Sequence, residues 1–270
     1  MVLFVITIAI IVAVYAGFSL YLMLNQHRMV YNPERRLVGT PADKGLPYEE
    51  VTLRTDDNVE LHAWYIPAAN ARRTVLFFHG NAGNISHRFE TLDLLHEMGF
   101  NTLIFDYRGY GKSGGAPSEQ GTYHDALAAW SCLVNERNTS PHDIILFGRS
   151  LGGGIASWLA ARENPLALII ESSFTSIPDL AQRVYPYVPI SWLARIRYDT
   201  RSRLDKVNCP VLIVHSRDDE LIPFAHGKAL YESLRGHKKA MLEIRGRHAD
   251  GFLLSGTLYT SGIRDFLAGL

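Results

Sequence analysis

The chain has 270 residues, 47% of them hydrophobic, and its 27 basic side chains balance 27 acidic ones. This composition supports one substantial core in one or two domains, and its neutral charge carries no nucleic-acid signature. Two cysteines, Cys132 and Cys209, cannot form a disulfide framework and read as buried thiols.

Residues 1–26 contain no Asp, Glu, Lys or Arg, and Val2 to Leu24 is nearly all apolar. As a helix that stretch spans about 34 Å, enough to cross a bilayer core. A cleaved signal peptide is the rival. The basic leader is missing, however, and the apolar run exceeds the usual length of about 7–15 residues. A retained single-pass anchor is expected over 1–26, with a basic, Pro-containing linker over 27–47. Arg28, Arg35, Arg36 and Lys44 follow the apolar run, so the positive-inside rule places the globular part on the cytoplasmic side.

From residue 48 the pattern becomes regular. Glu50–Arg54 and Glu60–Tyr65 flank Thr55-Asp56-Asp57-Asn58 and predict an antiparallel hairpin. Strands follow at Val75–Phe78, Thr102–Phe105, Ile144–Phe147, Leu166–Ile170, Val211–Val214 and Ala240–Ile244. Helices are predicted at Arg88–Met98, Glu119–Glu136 and Leu258–Leu267. The strands are almost wholly apolar, as strands covered on both faces must be. The alternation predicts an α/β protein with a mostly parallel central sheet and helices on both faces. Ligands of such sheets bind past the carboxyl ends of the strands.

Ser150 stands at such an end, in Gly148-Arg149-Ser150-Leu151-Gly152 between a strand and a helix. This is the nucleophile-elbow pattern, not a phosphate loop. The turn must strain the serine backbone to lift its hydroxyl clear of the sheet, and glycines two residues either side remove the collisions. A serine hydroxyl needs a base to take its proton. Of eleven histidines, His27, His87, His96, His124, His142, His226 and His237 read as surface or structural residues. His79 and His215 end strands. His248 follows the last strand in a short loop, at the correct sheet end. The acid should lie past the preceding strand, where Asp218 and Asp219 are neighbours that pattern alone does not separate; Glu171 and Asp250 are weaker rivals. Backbone N–H groups of Leu151 and Asn81 are the expected oxyanion donors, the second from the loop His79-Gly80-Asn81-Ala82-Gly83-Asn84. There is no dinucleotide fingerprint. His96-Glu97 lacks a second histidine at metal-binding spacing, so neither cofactor nor metal is expected.

His79-Gly-Asn-Ala-Gly-Asn, Asp106-Tyr-Arg-Gly-Tyr-Gly-Lys-Ser, Gly148-Arg-Ser-Leu-Gly-Gly and the Asp219 and His248 segments together resemble the α/β-hydrolase superfamily. They are most similar to its small membrane-anchored serine hydrolases, the bud-emergence-protein-like branch, whose relatives include protein depalmitoylases. The resemblance covers residues 27–270. It implies an α/β-hydrolase domain over 48–270, with residues 176–207 as a cap insert. It also implies cleavage of carboxylic esters or thioesters of a small or lipidic acyl substrate. The family pattern His-Gly-x-x-Asp-x-x-Val-Pro, laid on His215 to Pro223, implies Asp219 as the acid, although Ser216 stands where the pattern has glycine. A peptidase of related fold and a non-catalytic scaffold are the alternatives.

The cap segment interleaves apolar residues with arginines, broken by Pro186 and Pro189. It either packs on the core with its arginines solvated, or lines an acyl pocket with an aromatic and basic rim resting on anionic lipid. On the second reading Tyr185 and Trp192 bind substrate.

Overall fold

In the computed structural model, which describes residues 1–235 and 238–270, the N-terminal stretch is one continuous helix, α1 (Val2–Val30). His237, expected at the surface, lies outside the described residues. The helix runs one turn beyond the expected anchor end at Gln26. Gln26, His27 and Arg28 end the apolar composition, but nothing in them breaks a helix. The turn to extended backbone comes only at Tyr31. The expected linker over 27–47 is packed against the domain. Tyr31, Pro41 and Leu46 are buried, and Asn32–Pro33 pairs in parallel with Ala82–Gly83.

The predicted hairpin is β1 (Glu49–Arg54) with β2 (Glu60–Ile66), antiparallel, with Leu53 opposite Leu61. Asn58, with φ 64°, makes the turn. Then follow β3 (Thr74–Phe78), α2 (Phe89–Glu97), β4 (Asn101–Phe105), α3 (Glu119–Ser131), β5 (Ile144–Arg149), α4 (Leu151–Ala160) and β6 (Ala167–Glu171). The helix expected to reach Glu136 gives way after Ser131 to one wider π turn, Cys132–Glu136. The cap insert folds into three short helices, α5 (Ile177–Val184), α6 (Ile190–Leu193) and α7 (Thr200–Leu204). Pro186 and Pro189 fall between the first two, where a missing N–H does no harm. After β7 (Val211–Ser216) comes α8 (Phe224–Ser233), which the sequence reading missed. The chain then forms β8 (Lys239–Ile244), α9 (Gly251–Leu254) and α10 (Gly256–Ala268).

The eight strands lie in the order β1-β2-β4-β3-β5-β6-β7-β8. Pairing is antiparallel from β1 to β2 and from β2 to β4, and parallel from β4 onward. Alternate side chains of the apolar strands feed two cores. Leu76 and Phe78 join Leu146, Leu168 and Ile170 under α3 and α4. Val75 and Phe77 join Phe147 and Ile169 under α2 and α10. Both faces are therefore covered, which is why these strands read as unbroken apolar runs. Cys132 and Cys209 are free and buried. Because β3 sits between β4 and β5, the loops after β3 and β5 leave the sheet side by side, and the ligand crevice of such a sheet opens there.

Candidate active site

Ser150 joins β5 to α4 with φ 55° and ψ −118°, backbone that side chains other than glycine rarely adopt. Holding it costs about 1–3 kcal/mol. The neighbouring glycines make the turn possible. A Cβ on Gly148 would lie 2.3 Å from the Gly152 oxygen, and one on Gly152 only 2.0 Å from the Phe78 oxygen. The first glycine lets α4 fold back over the strand end, and the second lets it approach β3. Main-chain bonds then fix the strained residue. Its N–H donates to the Glu171 oxygen (2.9 Å), and its carbonyl accepts from Ser173 Oγ (2.8 Å) and the Gly153 N–H (3.0 Å).

The loop after β8 brings His248 to this hydroxyl. Its Nε2 lies 3.1 Å from Ser150 Oγ and its Nδ1 2.8 Å from Asp219 Oδ2. Asp219 Oδ1 is occupied by the N–H groups of Leu221 (3.0 Å) and Ile222 (2.7 Å). Burial pushes the Asp219 carboxyl up, but the His248 contact and the Ile222 N–H outweigh it and hold the pKa below its usual value. The acid is therefore ionised, so the Nδ1 proton of His248 faces it and the bare Nε2 faces the serine. The backbone N–H of His248 donates to Glu220 Oε2 (3.0 Å), fixing the loop.

The rival residues are engaged elsewhere. Asp218 is exposed and turned toward Arg245, 3.5 Å away. Asp250 accepts the Arg247 N–H (2.8 Å) within its own turn. Glu171 pairs with Arg149. His79 is wholly buried, its pKa pushed down to about 3 chiefly by that burial, and it donates from Nδ1 to the Gly80 oxygen (2.7 Å). His215, also lowered mainly by burial, bonds the Ile222 oxygen (2.8 Å). Both are neutral and hold loops. The segment from Asp106 to Ser113 serves the same end. Tyr107 Oη donates to the His79 oxygen (2.8 Å), and Asp106 Oδ1 accepts the Ile85 N–H (2.9 Å). Arg108 ties down Asp125 and Asp57.

Ser150 forms part of the floor of a cavity of about 340 Å³, which Leu151 and Asn81 also line. The Asn81 side chain is held by the Asn32 N–H (2.9 Å) and Tyr110 Oη (3.1 Å), both donating to its Oδ1. Tyr185 lines the cavity. Trp192 does not. It is 88% exposed, because the single turn of α6 points Ile190 and Leu193 inward and leaves Trp192 on the outer side. The sequence reading missed the opposite wall altogether: Leu22, Met23, Gln26, Met29 and Val30 of α1.

A strained serine at the end of the fifth strand, facing a histidine and a carboxylate from the last two strand ends, is the arrangement of a hydrolase on a doubly covered α/β sheet. Residues 73–189 match the model of the α/β-hydrolase fold family. The protein WAV2 of Arabidopsis thaliana, described as alpha/beta hydrolase domain-containing, is 34% identical over 281 residues, covering 94% of this chain and 91% of that one. The membrane protein YNL320W of Saccharomyces cerevisiae is 34% identical over 253 residues, covering 90% and 88%. Among solved structures, the Pyrococcus furiosus esterase Pf2001 superposes with a TM-score of 0.74 at 22% identity, over 88% of this chain and 97% of that one. The chain belongs to the α/β-hydrolase family.

Proposed function

We propose that this protein is a membrane-anchored serine hydrolase that cleaves carboxylic esters or thioesters of acyl substrates. The observation that carries the reading is the hydrogen-bonded relay from Ser150 through His248 to Asp219 beside an apolar cavity. Ser150 Oγ attacks the acyl carbonyl carbon as His248 Nε2 takes its proton. The charge that develops on the carbonyl oxygen meets the N–H groups of Leu151 and Asn81, the first at a helix N-terminus. As the C–O or C–S bond breaks, His248 returns the proton to the leaving group. Water, deprotonated by the same nitrogen, then attacks the acyl-serine ester, releasing the acid and restoring Ser150. Asp219 keeps the imidazole in the tautomer this cycle needs and stabilises its protonated form.

Membrane anchoring rests on α1, 29 residues long with a mean hydropathy of 2.6 over its most apolar 18-residue window. A segment removed as a signal peptide has no part in the mature fold, whereas Leu22 of this helix is buried against Val188 and Ile190 of the cap. That packing favours a retained helix. The flanking arginines favour a catalytic domain on the cytoplasmic side. The family relationship and the esterase named among the solved neighbours support hydrolysis in general.

The test is a fluorophosphonate probe on the full-length protein in detergent micelles. Labelling of wild type and its loss in Ser150→Ala is the expected result. Equal labelling of both would remove Ser150 from the chemistry, and labelling of neither would favour a non-catalytic scaffold. Ester, thioester and peptide substrates then separate the hydrolase classes.

A further inference from the structure

The membrane helix does more than tether. Leu22, Gln26, Met29 and Val30 follow the spacing i, i+4, i+7, i+8 and form one stripe that faces the cavity holding Ser150. The stripe continues toward the N-terminus. Phe18 meets the Tyr185 ring edge-on at 6.0 Å, and Tyr15 Oη donates to the Tyr187 oxygen at 2.7 Å. One polar side chain locks helix to cap. Gln26 Nε2 donates to the Leu193 oxygen (2.7 Å), and Gln26 Oε1 accepts the Arg195 N–H (2.8 Å).

Length places this contact. A 29-residue helix is about 43 Å long, while a bilayer core is about 30 Å thick. The surplus of about 13 Å corresponds to the last nine residues or so, the stretch from Leu22 to Val30. The cavity therefore begins where the hydrocarbon ends. The Tyr185–Tyr187 end of the cap lies alongside Phe18 and Tyr15, with Val184 and Tyr187 exposed, so it dips into the edge of the hydrocarbon. Trp192 is exposed on α6, whose other residues meet α1 near Leu22 and Gln26. Tyr and Trp favour the head-group level.

We infer that the inner turns of α1 are one wall of the substrate site, and that the substrate is the ester or thioester of a long single acyl chain that reaches Ser150 along this helix from within the bilayer. This rests on the serine chemistry proposed above for what happens at the carbonyl. An acyl chain following the stripe from Phe18 to Met29 meets apolar side chains except at Gln26, whose amide is already bonded to the cap backbone. It avoids the loss of about 0.8 kcal/mol per methylene that passage through water would bring. Both a glycerol ester and an S-acylated cysteine present such a chain, so the chain is the recognised chemistry.

The test uses full-length Ser150→Ala protein in nanodiscs, so that binding is read without turnover. Two photoreactive probes carry a diazirine on a palmitoyl chain, one as a monoacylglycerol ester and one as a cysteine thioester in a short peptide. Cross-linked residues are mapped by mass spectrometry. Labelling of the Leu22–Val30 stripe that excess unmodified probe displaces is expected. Leu22→Trp and Met29→Trp should each cut it at least tenfold. Leu24→Trp, on the side of α1 turned away from the cavity, should leave it unchanged. Melting curves of all three variants confirm folding. Displaceable labelling confined to residues outside α1, or indifferent to both stripe variants, overturns the inference. Stripe labelling together with absent turnover of either probe by the wild type would keep the doorway and overturn the chemistry. Labelling by one probe alone identifies which source of acyl chain the site takes.

Discussion

Arg149 Nε lies 2.9 Å from Glu171 Oε1, and the pair is buried directly beneath the elbow. It binds three parts of the site together. Arg149 Nη1 donates to Thr91 at 2.9 Å, its guanidinium lies 4.0 Å from the centre of the Phe252 ring, and Tyr259 Oη donates to Glu171 Oε2 at 2.6 Å. Phe252 and Tyr259 belong to the helices that follow His248. Glu171→Gln leaves a buried cation without its counter-ion and should destabilise the protein by about 3–5 kcal/mol. Replacing both partners, Arg149→Met with Glu171→Leu, should cost less than the sum of the single changes. Urea unfolding of Arg149→Met, Glu171→Leu and the double variant checks this, and strict additivity would contradict the coupling.

Hydrolysis should depend on Asp219 and hardly on its neighbour. Ser150→Ala, His248→Ala and Asp219→Asn should each lower kcat by several powers of ten, on the order of 10⁴–10⁶. Asp218→Asn weakens an exposed contact to Arg245 and a long bond from the Gly246 N–H, and should change kcat less than about threefold. Steady-state kinetics with a short p-nitrophenyl ester decides, and equal losses at 218 and 219 would reverse the assignment.

The glycines around the serine are not equivalent in their tolerance. Gly152→Ala drives a methyl into the Phe78 carbonyl at 2.0 Å and should cost on the order of 3 kcal/mol or more. Gly80→Ala places its methyl 3.5 Å from Ser150 Cβ, an ordinary contact, and should cost under about 1 kcal/mol. Thermal midpoints of the two variants should differ in that order. The same midpoint for both would mean that α4 yields where the packing shows no room.

Buried neutral histidines should make the fold lose stability in mild acid. His79 titrates at about 3 in the folded protein because burial disfavours its charged form, against about 6.5 in an unfolded chain. Between those values the unfolded chain binds a proton that the native state refuses, so stability falls as pH drops below about 6.5 and goes on falling toward 3. His215 is depressed by burial and acts with the same sign. Asp219, also depressed, loses its contribution only at still lower pH, as the acid takes up its proton through the lowered value. Asp125, which burial raises to about 6, acts with the opposite sign over the same range. The two histidines together should still make the melting temperature in detergent decline from about pH 7.5 to 4.5. His79→Asn, which keeps a donor toward the Gly80 oxygen, should flatten that slope. Parallel slopes for variant and wild type would show that His79 is not the titrating group.

Much of this architecture is legible in one dimension because its determinants are local. The elbow glycines and the apolar strands each lie within short windows. The choice between Asp218 and Asp219 is not local, since it depends on which carboxylate the turn after β7 directs at a loop 29 residues later. α8 escaped notice because its apolar positions, Gly227 and Leu230 among them, form only a narrow buried stripe. Trp192 was misplaced because a single helical turn has no periodicity from which a facing can be read. α1 continues past the end of the apolar composition at Gln26 because Gln26 docks the helix to the cap, a contact that no local pattern announces.

The strand order has a consequence for synthesis. β3 lies between β4 and β5, and all five of its residues are buried. Its β4 neighbour is made within about 25 residues, but its other edge waits for β5, about 70 residues further along the chain. At roughly 5–20 residues per second, that edge stays open for about 4–14 seconds on each ribosome. During that interval one edge of an almost wholly apolar strand has no partner. An apolar edge left open in this way is prone to pair with other chains, and the yield of folded protein should fall when translation is slowed between residues 106 and 149.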